Sequence, residues 1–256
     1  MKTPLTITAK VWNYCQNSCR YCVSSSNKKE WKYQNNFGSL PPQHILNFDR
    51  LRDWLLLFAP DSELHISGGE PLLRPDIETQ VQKLTEAGIR ITIFTNGLLI
   101  EKRPVLLSLP LKWVVTHHNC NPFALWHRNA ILIRSRPHIV SHLGDGDPDD
   151  KNKSIYDDFN FIPGQVNGLR YAPSEPCKDD LNVIASDVIH LIIPDGRIYA
   201  CNSQTTFSIG NIHTMTYDKN MARLRNSRCR QCVIGRACPA YQTARLTYSL
   251  KIPGEL

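Results

Sequence analysis

No apolar run in this 256-residue sequence approaches the ~18 residues needed to cross a bilayer as a helix. Residues 1–14 mix Thr, Lys and Asn with apolar side chains and hold no signal-peptide core, so the cytoplasm is the expected location and no membrane partner is expected. No internal repeat is visible, which argues against solenoids and propellers. The acidic stretch from Gly144 to Asp158 lacks the closing Glu of a calcium loop and reads as a plain connection. Nor is the chain short of core material: 41% of residues are hydrophobic and 21% charged, which excludes disorder and fibrous architectures for the bulk of it. At about 150 residues per domain, the length suits one large domain with a small appendage.

Cysteine, by contrast, is plentiful. There are nine, an odd number in a chain too long to read as a small secreted disulfide framework. Clustered thiols in a reducing compartment point to metal ligation or catalysis. The net charge of +7 is compatible with anionic partners but does not single one out.

Period and punctuation give strands alternating with helices. Leu5, Ile7, Ala9 and Val11 alternate with polar residues as a strand, and a Leu-rich helix spans about 49–58. Leu64 to Ser67 is a short strand entering Gly68-Gly69, after which Pro75 opens a helix that Gly88 closes. Ile89 to Phe94 is a strand stopped by Asn96-Gly97, Leu111 to Thr116 is another, and His138–Leu143 and Val166–Tyr171 are weaker candidates. Such alternation predicts parallel βα units. Six units fit in the first ~175 residues, too few for a closed eight-unit barrel of ~250, so the expected fold is α/β, a partial (β/α)6 TIM-like barrel. From about Ser174 the character changes. Val188 to Ala200 reads as a β-hairpin turning at Asp195-Gly196, followed by a Cys- and Arg-rich stretch. The expected division is 1–174 for the barrel and 175–256 for a small hairpin/α domain.

Cys15, Cys19 and Cys22 form a C-x3-C-x2-C run directly after the first strand, at the end where barrels build their sites. Three close thiolates suit an iron–sulfur cube, which normally takes four ligands, and leave one iron open. Zinc is the competing metal, but a structural zinc site wants a fourth ligand, and the nearest His or Cys beyond Cys22 is His44.

This run, with Tyr21 before its last cysteine, resembles the cluster loop of the radical SAM superfamily. Ser67-Gly68-Gly69-Glu70-Pro71 after the second strand resembles that family's GGEP loop. Thr95-Asn96-Gly97 resembles the polar strand end that touches the cofactor, although a simple turn reads equally well. The resemblance covers about the first 120 residues. It implies a [4Fe-4S] cluster on Cys15, Cys19 and Cys22, with S-adenosyl-L-methionine bound by Tyr21, Gly68, Gly69, Glu70, Pro71, Thr95 and Asn96. It further implies a flavodoxin- or ferredoxin-type electron donor, and reductive cleavage to a 5′-deoxyadenosyl radical that takes a hydrogen atom from substrate.

Five further cysteines, Cys177, Cys201, Cys229, Cys232 and Cys238, lie in the C-terminal third. Together with the hairpin and Gly210-Asn211-Ile212 they resemble a SPASM or shorter twitch extension, which implies an auxiliary [4Fe-4S] cluster. A full SPASM set needs more cysteines, so one cluster on Cys177, Cys201, Cys229 and Cys232 is expected, with Cys238 as alternative or spare. A zinc site from the same thiols is the competing reading. Five arginines crowd residues 223–236 without an interleaved aromatic, which argues against a nucleic-acid partner.

Trp113 to Cys120 ends a strand on the site side. His117 or His118 is a candidate proton acceptor, His117 being preferred, and Cys120 a candidate hydrogen-atom donor. The layout resembles small twitch-type dehydrogenases, which implies two-electron oxidation of a small-molecule alcohol with the auxiliary cluster as electron acceptor. The alternative substrate is a peptide or protein side chain, disfavoured by the early start of the first strand. The alternative of another class is a non-catalytic zinc- or cluster-stabilised nucleic-acid-binding module.

Overall fold

The computed structural model describes residues 5–17, 45–118, 120–143, 161–163, 189–200 and 208–220. Cys19, Cys22, Tyr21, Cys177, Cys201, Cys229, Cys232 and Cys238 lie outside these residues, as does the predicted strand at 166–171.

The chain is mixed α/β around one sheet that is parallel from β1 to β6. β1 (Thr6–Lys10), α1 (Phe48–Phe58), β2 (Glu63–Ser67), α2 (Ile77–Glu86), β3 (Arg90–Thr95), α3 (Pro104–Ser108), β4 (Lys112–His118), α4 (Phe123–Ile131), β5 (His138–Leu143) and β6 (Phe161–Pro163) follow one another. Strands β1 to β6 pair in sequence order, all parallel. The architecture is that of a partial TIM-like barrel whose sheet does not close among the described residues.

Local chemistry sets the ends of these elements. Asn47 caps α1, its Oδ1 accepting the Arg50 N–H at 3.0 Å. α2 begins two residues after Pro75 and ends at Glu86, just before Gly88, and the Ile89 N–H returns to the Leu84 carbonyl at 3.1 Å.

The pleat sorts the strands into two faces. Ile7, Ala9, Leu64, Ile66, Ile91, Ile93, Trp113 and Val115 share one apolar core with Leu51, Trp54, Leu55, Val81 and Leu84 of the helices. The opposite face of the same strands is polar yet buried, carrying Thr6, Thr8, Glu63, His65 and Thr92. Covering one face and leaving the other polar is what a barrel wall that must receive a hydrophilic guest requires.

The predicted hairpin forms as β7 (Ile189–Ile192) and β8 (Arg197–Tyr199), extended by β9 (Gly210–Asn211) and β10 (Thr216–Tyr217). It does not stand apart from the barrel sheet. β7 pairs in parallel with β1, Thr6 opposite Ile189 and Ala9 opposite Ile192, so the order is β10-β9-β8-β7-β1-β2-β3-β4-β5-β6. The boundary expected at 174/175 lies outside the described residues.

Candidate active site

The site lies beyond the C-terminal ends of β1 to β4. β1 ends at Lys10, and the chain continues extended through Trp12, Tyr14 and Cys15. The base of the segment between Trp12 and Ile45 is closed: these two form an antiparallel bridge, and the Leu46 N–H donates to the Val11 carbonyl at 3.0 Å. Buried Arg74 clamps this closure, donating from Nη1 to the Val11 carbonyl at 3.0 Å and the Leu46 carbonyl at 2.8 Å. Its guanidinium lies 4.4 Å from the Phe48 ring centroid and pairs with Asp76 at 2.6 Å.

The Gly68-Gly69-Glu70 loop is seated directly on the backbone that leads to Cys15. The Gly69 N–H donates to the Trp12 carbonyl at 3.0 Å and the Glu70 N–H to the Tyr14 carbonyl at 2.7 Å, while the Trp12 indole N–H donates back to the Glu70 carbonyl at 2.8 Å. Neither glycine can be replaced without moving one of the two strands. Gly68 has φ +143°, and a Cβ there would stand 2.5 Å from the Trp12 oxygen; a Cβ on Gly69 would overlap the Tyr14 carbonyl. The first task of the two glycines is thus to let this loop lie flat against the cysteine segment.

Glu70 performs a task that the sequence alone did not suggest. Its side chain is fully buried and turned into the protein. Oε1 accepts from the Leu72 N–H at 3.0 Å and the Thr95 hydroxyl at 2.8 Å, and Oε2 from the Asn96 N–H at 2.8 Å. Burial pushes its carboxyl up to about 7, against these hydrogen bonds, which favour the charged form. The carboxylate ties the end of β2 to the end of β3. Pro71 begins the short 3₁₀ turn Pro71–Leu73 that Glu70 caps, and Arg103 grips that turn through the Leu72 carbonyl at 2.9 and 2.7 Å.

Asn96 is held on several sides. Besides its N–H on Glu70, its Oδ1 accepts from the Leu98 N–H at 3.1 Å and from Gln16 Nε2 at 3.2 Å. Its Nδ2 is buried and, among the described residues, has no hydrogen-bond partner. A buried donor of this kind costs stability unless something accepts from it. An acceptor-rich ligand at the strand ends, such as a carboxylate or a ribose, answers that need, and the soft sulfur of Cys15, the residue before Gln16, suits iron. These residues therefore fit a cluster and an S-adenosylmethionine-like ligand. Among the described residues no three or more of His, Cys, Asp and Glu are grouped to hold a metal, and the other two cysteines of the triplet lie outside them.

The two histidines of β4 point opposite ways. His117 is in phase with Trp113 and Val115, and its ring is buried against α4, 5.3 Å from Phe123 and 4.9 Å from Trp126. It takes the helix side of the sheet, away from the polar face where a catalytic base was expected. His118 alternates onto the face that carries Thr92 and Phe94. Cys120 is exposed in the turn after β4, its Sγ 3.9 Å from Asn121 Oδ1.

Deeper on the polar face, Glu63 accepts from the Thr92 hydroxyl at 2.7 Å and pairs with Lys112 at 3.2 Å, with His65 Nε2 3.6 Å away. Burial alone would raise its pKa, but the contacts with His65, Thr92 and Lys112 outweigh burial and hold it well below the usual carboxylate range.

Residues 10–117 match the Radical SAM superfamily model. The GTP 3′,8-cyclase of Aquifex aeolicus (strain VF5) is 30% identical over 114 residues, 42% of this chain and 33% of that protein. Its counterpart in Staphylococcus aureus (strain JH9) is 32% identical over 96 residues, 36% of this chain and 27% of that protein. The match thus spans about a third or less of the length of these curated relatives. Among solved structures, native anSMEcpe with bound AdoMet superposes with a TM-score of 0.57 at 15% identity, covering 97% of this chain and 85% of that one. Streptococcus suis SuiB bound to its precursor peptide SuiA gives 0.51 at 14% identity, covering 87% and 66%. At these identities the likeness is one of fold. Radical SAM proteins use a [4Fe-4S] cluster and S-adenosylmethionine, and the stretch of this chain that is similar to them, residues 10–117, runs from the end of β1 to the end of β4.

Proposed function

We propose that this chain is a radical SAM oxidoreductase that takes a hydrogen atom from a small polar molecule and completes a two-electron oxidation of its alcohol. Cys15, Cys19 and Cys22 hold the [4Fe-4S] cluster, and S-adenosylmethionine lies over the ends of β1 to β4. Bound together, these groups supply one-electron cleavage of a sulfonium and hydrogen-atom abstraction.

The observation that carries this reading is the seating of the Gly68-Gly69-Glu70 loop on the backbone of Trp12 and Tyr14. It brings the cofactor-type loop and the first cysteine into one rigid unit. Glu70 then fixes Asn96, whose Nδ2 donates to an oxygen of the ligand. The polar face of the sheet receives a hydrophilic substrate, and His118, on that face, takes the proton of the substrate hydroxyl. An auxiliary [4Fe-4S] cluster on Cys177, Cys201, Cys229 and Cys232, with Cys238 as alternative ligand, accepts the second electron. The first leaves with the abstracted hydrogen atom, and a flavodoxin- or ferredoxin-type protein supplies the separate electron that cleaves S-adenosylmethionine.

Anaerobic reconstitution tests this. The chain is expected to turn brown, to carry about eight iron if both clusters form, and to release 5′-deoxyadenosine when given dithionite and S-adenosylmethionine. Cys15→Ala is expected to abolish that release. A colourless zinc protein without cleavage overturns the proposal. Mass balance on a candidate alcohol, on a peptide and on GTP then separates oxidation from other outcomes: loss of two hydrogens from the alcohol supports the reading.

A further inference from the structure

Four side-chain amides meet where the cysteine segment rests on the sheet. Gln16 Nε2 donates to Asn96 Oδ1 at 3.2 Å, Asn17 Nδ2 to Asn121 Oδ1 at 2.7 Å, and Asn121 Nδ2 to the Asn96 carbonyl at 3.1 Å. Gln16 and Asn17 are the two residues after Cys15; Asn96 and Asn121 are buried in the turns after β3 and β4. Gln16 and Asn17 are spacer positions inside the C-x3-C-x2-C run, and Asn121 lies outside the cofactor-type motifs described above.

Two backbone groups dictate which way every one of these amides faces. The Leu98 N–H donates to Asn96 Oδ1, so that atom is the oxygen, and Gln16 must present its nitrogen to it. The Asn96 carbonyl can only accept, so Asn121 must offer Nδ2 to it and turn Oδ1 towards Asn17. Asn121 is itself set by the turn it sits in, its N–H donating to the His118 carbonyl at 2.7 Å. The result is a directional chain from the β4 turn, through Asn121, to the residues beside Cys15.

We infer that Asn121 is a positioning residue, a latch that holds the Cys15 segment on the ends of β3 and β4 and ties it to the turn bearing His118 and Cys120. The latch is a property of the protein alone; only its consequence for a cluster rests on the function proposed above. A movement of the β4 turn shifts Asn121, and Asn121 shifts both the backbone beside Cys15 and the carbonyl of Asn96. The segment's own backbone adds one local contact, the Asn17 N–H on Cys15 Sγ at 3.4 Å, which survives substitution of the amide side chains.

The test is the alkylation rate of Cys15 in the full-length metal-free chain, read peptide by peptide with iodoacetamide. Asn17→Ala and Asn121→Ala are each expected to speed it about tenfold, the effect of losing one or two neutral hydrogen bonds that oppose local opening. The double variant is expected to match Asn121→Ala, because the Asn17–Asn121 bond that Asn17→Ala removes is already lost there; independent structural roles would multiply the effects. The thermal midpoint of Asn17→Ala is expected to be unchanged, which keeps the test valid even where Asn121→Ala fails to fold. In the iron-loaded chain, the same variants are expected to release iron to a chelator faster by a similar factor. Single variants within about twofold of wild type, or effects that multiply in the double variant, overturn the latch. A wild-type chain that never takes up iron while Cys15 still responds to Asn17→Ala overturns the cluster and leaves the latch standing.

Discussion

Glu70 and Asn96 stand at the ends of adjacent parallel strands, and the carboxylate of the first accepts the backbone N–H of the second at 2.8 Å. The same carboxylate also takes the Thr95 hydroxyl and the Leu72 N–H, so its acceptors face only donors. Glu70→Gln preserves the shape but aims an NH₂ at one of these donors. The expected result is a loss of about 1–3 kcal/mol in stability and weaker S-adenosylmethionine binding, measured by denaturation and by equilibrium dialysis.

The two buried glutamates give opposite pH dependences. Burial raises Glu70 to about 7 in the fold, from an ordinary value of 4.5. It binds its proton more tightly when folded, so its contribution is present at low pH and is lost as pH rises between these values. Glu63 is held below its ordinary value; its contribution is present above that value and is lost as the solution is acidified. Against the wild type, Glu70→Gln should flatten the decline of the denaturation midpoint between about pH 4.5 and 7, whereas Glu63→Gln should flatten the decline in acid.

Gly69→Ala places a methyl group on the Tyr14 carbonyl. The cysteine segment or the Gly68-Gly69 loop must then move, and iron incorporation on reconstitution should fall to the level of Cys15→Ala. Normal iron–sulfur absorbance in this variant would contradict the seating of the loop.

Arg74 holds two backbone carbonyls that otherwise face a buried environment. Arg74→Met keeps the stem but removes the side-chain donor to the Leu46 carbonyl, one of the two donors to the Val11 carbonyl, and the ion pair of Asp76. A loss of about 2–4 kcal/mol is expected in chemical denaturation.

The histidine pair separates packing from chemistry. His117→Phe should retain most turnover, because its ring lies among Phe123 and Trp126. His118→Gln should leave S-adenosylmethionine cleavage intact while slowing oxidised product by about 10²-fold or more, the range of a lost proton acceptor. Product assays on both variants check this.

Much of the wall was legible because its strands are short, apolar on one phase and punctuated by Gly or Asn-Gly. The facing of His117 was not read correctly, although it shares phase with Trp113 and Val115, both core residues, which argued against the base role preferred for it. α4 escaped notice because Phe123-Ala-Leu-Trp-His-Arg-Asn-Ala-Ile131 has no strong cap signal, and its N-cap residue, Pro122, makes no side-chain capping bond. β6 has only three residues, too few for any period to show. The inward turn of Glu70 depends on donors twenty-five residues away, and the β1–β7 pairing joins distant parts of the chain. No local pattern encodes either.

That pairing has a consequence for how the protein must be made. β1 gains its second neighbour only when residues 189–192 have left the ribosome. Until then the strand leading to the first thiol has one bare edge, a template for unwanted association between copies. A version of this protein ending at residue 174 would keep that edge for good. It should aggregate rather than behave as a smaller working enzyme.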